Sequence, residues 1–189
     1  MKLVLASSSP RRVDILRFRG YEFTADPADI DEYFDRSVQA REAMEKLAMS
    51  KAEAVRPRHP YDAVAAADTM VFLDGDPLGK PDGPDGARKM LKRLSGRSHE
   101  VITGAALIWP GGAQTFSVIT KVVFYSLSDA QIDRYVATGE PLGKAGSYAI
   151  QGGGSMLVEH VEGDYLNIVG LPLGEMEKRL AALGIFPRL

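Results

Sequence analysis

The hydrophobic positions of the chain alternate between short continuous runs and stripes of helical period, which predicts interleaved strands and helices. In the first half, the runs predict strands at residues 2–6, 21–25, 63–67 and 70–73. The stripes predict a helix that begins at Pro10 and a long helix from about residue 38 to residue 56, after which Pro57 ends the helical pattern.

The second half of the chain contains the clearest hairpin, in which two long strands join across Pro110-Gly111-Gly112. The pattern predicts strands at 99–109, 114–125 and 156–162, and helices at 85–94, 129–138 and 172–183. Interleaving favours parallel pairs, but the hairpin is antiparallel, so we expect an α/β fold with a mixed, twisted sheet and flanking helices. Because no linker is evident, residues 1–189 are predicted to form a single domain of two lobes that share the sheet.

The segment Ser7-Ser8-Ser9-Pro10-Arg11-Arg12 joins the first strand to the first helix. Ser9 is the expected N-cap, because Pro10 suits the first helical position. Arg11 and Arg12 then lie at the positive end of the helix dipole, where a cation is unfavourable. A bound anion such as a phosphate chain would resolve that conflict, and the alternative is a capped helix with two solvated arginines.

Asp68 lies between two apolar runs, so burial is expected on both sides of a carboxylate. Such a group is unfavourable unless it is hydrogen-bonded, paired or bound to a metal. We favour a catalytic or metal-binding role over the alternative, a carboxylate that accepts backbone N–H bonds at a strand break.

Further polar residues are candidates for a functional site. Lys51 lies on the apolar stripe of the long helix, where it either extends to water or lines a cleft. Lys80 lies on a loop that Pro81 stiffens. Asp31 and Glu32 form a carboxylate pair suited to Mg²⁺. The Gln151 amide can pair with the edge of a uracil-like base. For each of these the solvated alternative stays open.

Composition narrows the function classes. A formal net charge of −2 gives no general attraction to nucleic acid, and the absence of cysteine excludes disulfides and thiolate metal sites. Apolar runs are too short to cross a membrane or to form a signal-peptide core. We therefore expect a cytoplasmic protein without nucleic-acid or membrane partners, and any phosphate site must be local.

The chain resembles the Maf family of nucleoside triphosphate pyrophosphatases along nearly its whole length. The resemblance is carried by Ala6-Ser7-Ser8-Ser9-Pro10-Arg11-Arg12, Asp31-Glu32, Ala67-Asp68-Thr69, Gly79-Lys80-Pro81, Leu94-Ser95-Gly96, Gly139-Glu140-Pro141, Lys144-Ala145-Gly146-Ser147-Tyr148-Ala149-Ile150-Gln151-Gly152 and Val169-Gly170-Leu171-Pro172-Leu173. It implies a fold related to the inosine triphosphate pyrophosphatases with a deep cleft between two lobes. It also implies a nucleoside triphosphate substrate, a Mg²⁺ or Mn²⁺ cofactor and a homodimer.

The resemblance also implies roles for individual residues. Asp68 would be the catalytic base and would hold the metal together with Glu32. Polar contacts to the triphosphate are implied for Ser7, Arg12, Lys51 and Lys80. Selection of the nucleotide is implied for Arg11, Thr69 and Gln151.

The residues at those three selecting positions match the branch that hydrolyses dTTP and UTP to the monophosphate and pyrophosphate. In the expected reaction, a metal-assisted water attacks the α-phosphate. The alternatives are a 7-methyl-GTP pyrophosphatase, hydrolysis of modified pyrimidine triphosphates, and a non-catalytic nucleotide-binding regulator of cell division.

Overall fold

The computed structural model describes residues 1–31 and 34–188. Within those residues, seven strands form one sheet. The strands are β1 (Leu3–Leu5), β2 (Phe23–Ala25), β3 (Ala63–Leu73), β4 (Asp76–Leu78), β5 (Ser98–Trp109), β6 (Gly112–Phe124) and β7 (Val158–Glu162). No helix in this part of the chain is long and apolar enough to span a membrane.

The helices alternate with the strands along the chain. They are α1 (Pro10–Phe18), α2 (Ala40–Val55), α3 (Gly83–Leu94), α4 (Asp129–Ala137), α5 (Tyr165–Val169) and α6 (Leu173–Ala182), with short 3₁₀ turns at Arg56–Arg58, Ala145–Ser147 and Gly153–Leu157.

The sheet is mixed, as the sequence predicted. Its strand order is β2-β1-β3-β5-β6-β7, and β4 pairs with β3. Strand β1 is parallel to both β2 and β3, with Val4 opposite Thr24 on one side and Val64 on the other. The pairs β3–β4 and β6–β7 are antiparallel. The α/β class with a mixed sheet is therefore confirmed.

Several local predictions differ from the structure. Strand β3 continues through Asp68 and Thr69, whereas the sequence suggested two strands with a break there. Ser9 precedes α1 but makes no side-chain cap, while Ser128 forms a complete capping box with Gln131 at the start of α4. Helix α5 has five residues, too few to show a helical stripe in the sequence.

The chain divides into two compact units, which are described separately. The first contains Met1–Thr69, Thr103–Val118 and Gly170–Leu189, and the second contains Met70–Ile102 and Ile119–Val169. The single domain with a cleft between two lobes stays a prediction.

In the first unit, α2 covers the face of the sheet that carries every second residue of β3. Val64 and Ala66 of β3 pack with Ala48, Ala52 and Val55 of α2 in one buried cluster. Since side chains alternate along a strand, Asp68 belongs to the same face as Val64 and Ala66.

Gly104 of β5 allows α2 to approach the sheet closely. A Cβ at this position would overlap the carbonyl group of Met44 and would lie 2.6 Å from the backbone nitrogen of Glu45. Both atoms belong to helical backbone, which cannot move aside as a flexible side chain can.

The second unit is packed around three rings. His99 lies edge-on to Phe124 and Tyr148, with ring centroids 5.0 and 5.4 Å apart, and its Nε2 is 2.9 Å from the Tyr148 hydroxyl. The residue is buried, and within the described residues its Nδ1 has no hydrogen-bond partner. Burial lowers the pKa of His99 from 6.5 to about 4, so the ring is neutral in the folded chain at neutral pH.

We predict that Gly104→Ala lowers the free energy of unfolding by about 3 kcal/mol, because the added methyl group forces α2 away from the sheet. Urea denaturation would measure the loss. Gly174→Ala is the matched control, since a Cβ there meets nothing within 4 Å and α6 should gain up to about 1 kcal/mol. Equal midpoints for Gly104→Ala and the wild type would contradict the close approach.

We predict that acid destabilises the protein through His99. As the pH falls below 6.5, the unfolded chain binds a proton that the folded chain does not bind until about pH 4. This part of the stability is complete above pH 6.5 and declines between pH 6.5 and about 4, by up to about 3 kcal/mol.

Urea midpoints across that pH range would test the role of His99. His99→Gln, which does not titrate, should flatten the decline, and His160→Gln at an exposed position should leave it unchanged. Parallel declines in wild type and His99→Gln would show that His99 does not control acid stability.

Candidate active site

Asp68 lies within β3, on the face covered by α2, and forms an ion pair with Lys51 of that helix. The Lys51 Nζ is 3.2 Å from Asp68 Oδ2, and the two side chains are only 10% and 15% exposed. The Asp68 Oδ1 also accepts the backbone N–H of Thr69 at 2.9 Å. The interpretation in which the Lys51 side chain extends to water is therefore wrong. Lys51 lies on the buried face of α2, and this position brings its ammonium group to the Asp68 carboxylate.

Arg12 connects the start of α1 to the same strand. Its Nε donates to the Gly170 carbonyl at 2.7 Å, Nη1 donates to Ser7 Oγ at 3.2 Å, and Nη2 donates to Thr69 Oγ1 at 3.3 Å. The Nη2 also lies 3.9 Å from Asp68 Oδ1. Five predicted site residues are thus brought together in the first unit: Ser7, Arg12, Lys51, Asp68 and Thr69.

Two further groups in this network were missed at the sequence level. Thr103 of β5 is fully buried, and its Oγ1 is 2.9 Å from Thr69 Oγ1. The Gly170 carbonyl holds the Arg12 guanidinium. Thr103 lies in a run that reads only as a buried strand, and no sequence pattern predicts that a particular carbonyl accepts an arginine.

The network holds two cationic side chains beside Asp68. Arg12 Nη2 and Lys51 Nζ lie 3.9 and 3.2 Å from the Asp68 oxygens, and all three side chains are at most 15% exposed. Burying such groups costs more free energy than an apolar replacement, so stability alone does not explain them. The two cations suit an anionic ligand, and they lie close to the start of α1, where helix N–H groups add to the positive potential.

Arg11 is exposed on the first turn of α1, next to this network in sequence. Asp31 is exposed and borders a pocket of about 200 Å³ together with Asp35, Lys46 and Ser50. Glu32, the second expected metal ligand, lies outside the described residues.

The donor chemistry present fits a hard divalent cation only in part. Among residues 1–31 and 34–188, no group of three or more histidine or acidic residues is placed to hold a metal. The Asp68 carboxylate supplies one suitable oxygen ligand, and Mg²⁺ commonly binds one or two protein carboxylates and completes its shell with phosphate oxygens and water. Asp68 together with substrate phosphates is therefore a chemically adequate set.

The second unit contains Lys80 and Gln151, both with exposed side chains. Lys80 follows Gly79, whose carbonyl accepts the backbone N–H of Gly146 at 3.2 Å. This contact ties the loop that carries Lys80 to the segment that leads toward Gln151.

Tyrosines hold the backbone just before Gln151. The Tyr135 hydroxyl of α4 accepts the backbone N–H of Ala149 at 3.1 Å, and the Tyr148 hydroxyl contacts His99. Burial raises the pKa of Tyr135 to about 12 and raises that of Tyr148 still further, so both keep their protons at neutral pH. Gln151 is thus an exposed amide on firmly held backbone.

The two units present different chemistry. The first offers a carboxylate able to accept a proton, next to two cationic side chains that suit an anion. The second offers a lysine and a neutral amide that both donates and accepts hydrogen bonds.

Several known proteins are similar to this chain. The chain is 48% identical to a dTTP/UTP pyrophosphatase of Moorella thermoacetica, over 97% of this chain and 96% of that protein. It is 45% identical to one of Halalkalibacterium halodurans, over 98% of both chains, and 46% identical to one of Pyrococcus furiosus, over 91% of this chain and 90% of that protein. Among solved structures, the Ham1 protein of Staphylococcus aureus is similar with a TM-score of 0.47 at 17% identity, covering 66% of this chain and 72% of that chain.

A family model described as Maf-like protein matches residues 2–183. That span includes all the predicted site residues and leaves out only the two ends of the chain. Since this match covers nearly the full length and the relatives exceed 40% identity, the chain belongs to the Maf family of proteins.

Proposed function

We propose that this protein is a nucleoside triphosphate pyrophosphatase that hydrolyses dTTP and UTP to the monophosphate and pyrophosphate. The observation that carries the proposal is the half-buried Asp68 carboxylate held between Lys51 and Arg12. The names of the curated relatives support the same reaction and the same substrates.

In the proposed reaction, a water molecule attacks the α-phosphorus while Asp68 accepts its proton. The new bond joins the water oxygen to the α-phosphorus, and the bond from that phosphorus to the oxygen bridging to the β-phosphate breaks. Pyrophosphate leaves with the electron pair of that bond. The Thr69 N–H and the Lys51 ammonium hold the Asp68 carboxylate in a fixed position, which supports its assignment as the base.

Lys51 and Arg12 neutralise charge on the phosphates. Without substrate, both pair with Asp68. A triphosphate gives them stronger anionic partners, and charge that develops on the leaving pyrophosphate then lies beside preorganised cations. Ser7 and Thr69 keep the Arg12 guanidinium in place, since each supplies an oxygen to it, and Lys80 is proposed as a further phosphate contact.

Mg²⁺ or Mn²⁺ is the proposed cofactor. Asp68 would hold it together with Glu32, and when bound it would neutralise phosphate charge and polarise the α-phosphate. Proton acceptance by Asp68 and phosphate binding by Lys51 and Arg12 are roles of the protein's own side chains.

Nucleotide choice is assigned to Arg11, Thr69 and Gln151. The exposed Gln151 amide matches the paired donor and acceptor edge of thymine or uracil. Thr69 acts at least partly through Arg12, because its hydroxyl accepts a guanidinium hydrogen bond. We also propose a cytoplasmic homodimer that does not bind nucleic acid.

The rival functions differ in measurable ways. A 7-methyl-GTP pyrophosphatase would release pyrophosphate fastest from that nucleotide, and an enzyme for modified pyrimidines would prefer those substrates to dTTP and UTP. A non-catalytic regulator would bind nucleotide without releasing pyrophosphate.

We predict that dTTP and UTP give the highest kcat/KM in a panel that also contains CTP, ATP, GTP, 7-methyl-GTP and modified pyrimidine triphosphates. Pyrophosphate release with Mg²⁺ and with Mn²⁺ would be measured for each. Saturable binding without release from any member would reject the enzymatic proposal, and a preference for 7-methyl-GTP would reject the assigned substrates.

We predict that Asp68→Asn lowers kcat at least about 100-fold, because asparagine cannot accept the water proton. Affinity for a non-hydrolysable UTP analogue, measured by calorimetry, should persist, because Lys51 and Arg12 remain. The control is Asp14→Asn, at an exposed position of α1. Turnover near the wild-type rate in Asp68→Asn would overturn the assignment of the base.

A further inference from the structure

The proposed function uses Gln151 but leaves the three glycines that follow it without a role. Gly152-Gly153-Gly154 lacks the strand-to-helix context of a dinucleotide-binding loop. In the structure, Gly153 and Gly154 open a 3₁₀ turn, and the side chains of Glu140 and Tyr135 lie directly against the three glycines.

Glu140 contacts the backbone immediately after Gln151. Its Oε2 accepts the Gly153 N–H at 2.8 Å. A Cβ on Gly152 would overlap Oε1, and a Cβ on Gly153 would lie 2.9 Å from Oε2. The carboxylate is therefore packed directly against the backbone of two consecutive glycines.

Tyr135 closes the other side of the same loop. A Cβ on Gly154 would lie 2.7 Å from the Tyr135 hydroxyl and 2.7 Å from the Ala149 carbonyl. Since that hydroxyl also accepts the Ala149 N–H, Gln151 lies between two fixed points, one at Ala149 and one at Gly153.

Glu140 is itself held in place. It follows the end of α4, where its backbone N–H donates to Thr138 Oγ1 at 3.2 Å and its carbonyl accepts Lys144 Nζ at 2.8 Å. The side chain is half-buried, and a hydrogen bond to a carboxylate is stronger than one between neutral groups.

We propose that Glu140 is a specificity-determining positioning residue that acts through the Gly152-Gly153 backbone on Gln151. The inference rests on the role assigned to Gln151 in the proposed function. An amide distinguishes uracil from cytosine only when its oxygen and nitrogen face the base in a fixed order, because the two bases exchange donor and acceptor at ring position 3 and at the group on position 4. A loop released from Glu140 loses that order, so discrimination falls more than turnover does.

The test compares Glu140→Ala, Glu140→Gln, Gln151→Ala and the double variant Glu140→Ala/Gln151→Ala. The main readout is the preference for UTP over CTP, measured both as the ratio of kcat/KM and as the ratio of Kd for non-hydrolysable analogues. Glu159→Ala on β7 is the matched control, an exposed glutamate outside both sites.

We expect Glu140→Ala to lower the UTP preference about tenfold, the scale of one lost charge-assisted hydrogen bond. Glu140→Gln should retain most of the preference, because its amide oxygen still accepts the Gly153 N–H. The double variant should show the same preference for UTP over CTP as Gln151→Ala, because both substitutions act on the Gln151 amide.

Hydrogen exchange of the Gly153 amide gives a second readout that does not need activity. Protection should fall in Glu140→Ala and persist in Glu140→Gln. Unchanged protection and preference in Glu140→Ala would overturn the proposal, as would losses that add in the double variant or an unaltered preference in Gln151→Ala.

Failure of the proposed function has a different signature. Wild-type protein that releases no pyrophosphate from any nucleotide would reject the enzymatic role. The Kd ratios and the exchange of the Gly153 amide would then still decide whether Glu140 positions Gln151.

Discussion

The ion pair between Asp68 and Lys51, with Arg12 beside it, is the interaction on which the rest of the structure depends. A charged side chain in the middle of an apolar strand requires compensation, and here a lysine 3.2 Å away and a backbone N–H supply it. With that compensation, β3 continues unbroken through Asp68. The same groups place two cationic side chains in the site.

Two periodicities place these groups. The alternation along β3 directs Asp68 to the face that Val64 and Ala66 share with α2. The helical repeat of α2 carries Lys51 on the buried side with Ala48 and Val55. Neither residue changes the periodicity of its element, and each occupies a position where an apolar side chain would otherwise be expected.

Much of this arrangement could be predicted from the sequence because it depends on local patterns. The mixed sheet followed from the long hairpin, and Asp68 and Lys51 were identified because each interrupts an apolar surface. The pairing of the two was not predicted, since it depends on the height of α2 above the sheet. Thr103 and the Gly170 carbonyl were missed because their partners lie 34 and 158 residues away.

The prediction of a strand break at Asp68 was wrong for a related reason. Local reasoning treats a buried carboxylate as a disruption, whereas a tertiary partner removes the penalty. Glu140 is a second residue whose contacts local sequence patterns do not predict. The sequence predicted no role for it, and its packing against Gly152 and Gly153 becomes visible only when the turn is folded.

The absence of a side chain at Gly104 also fixes the distance between α2 and the sheet. It sets how closely α2 rests on β5 at Met44, and Lys51 lies seven residues further along that rigid helix, about 10 Å away. The distance between the Lys51 ammonium and Asp68 therefore depends on the contact between Gly104 and Met44, neither of which is assigned a chemical role. A larger side chain at residue 104 would push α2 outward, so it would change the distance from Lys51 to Asp68 together with the packing of the helix.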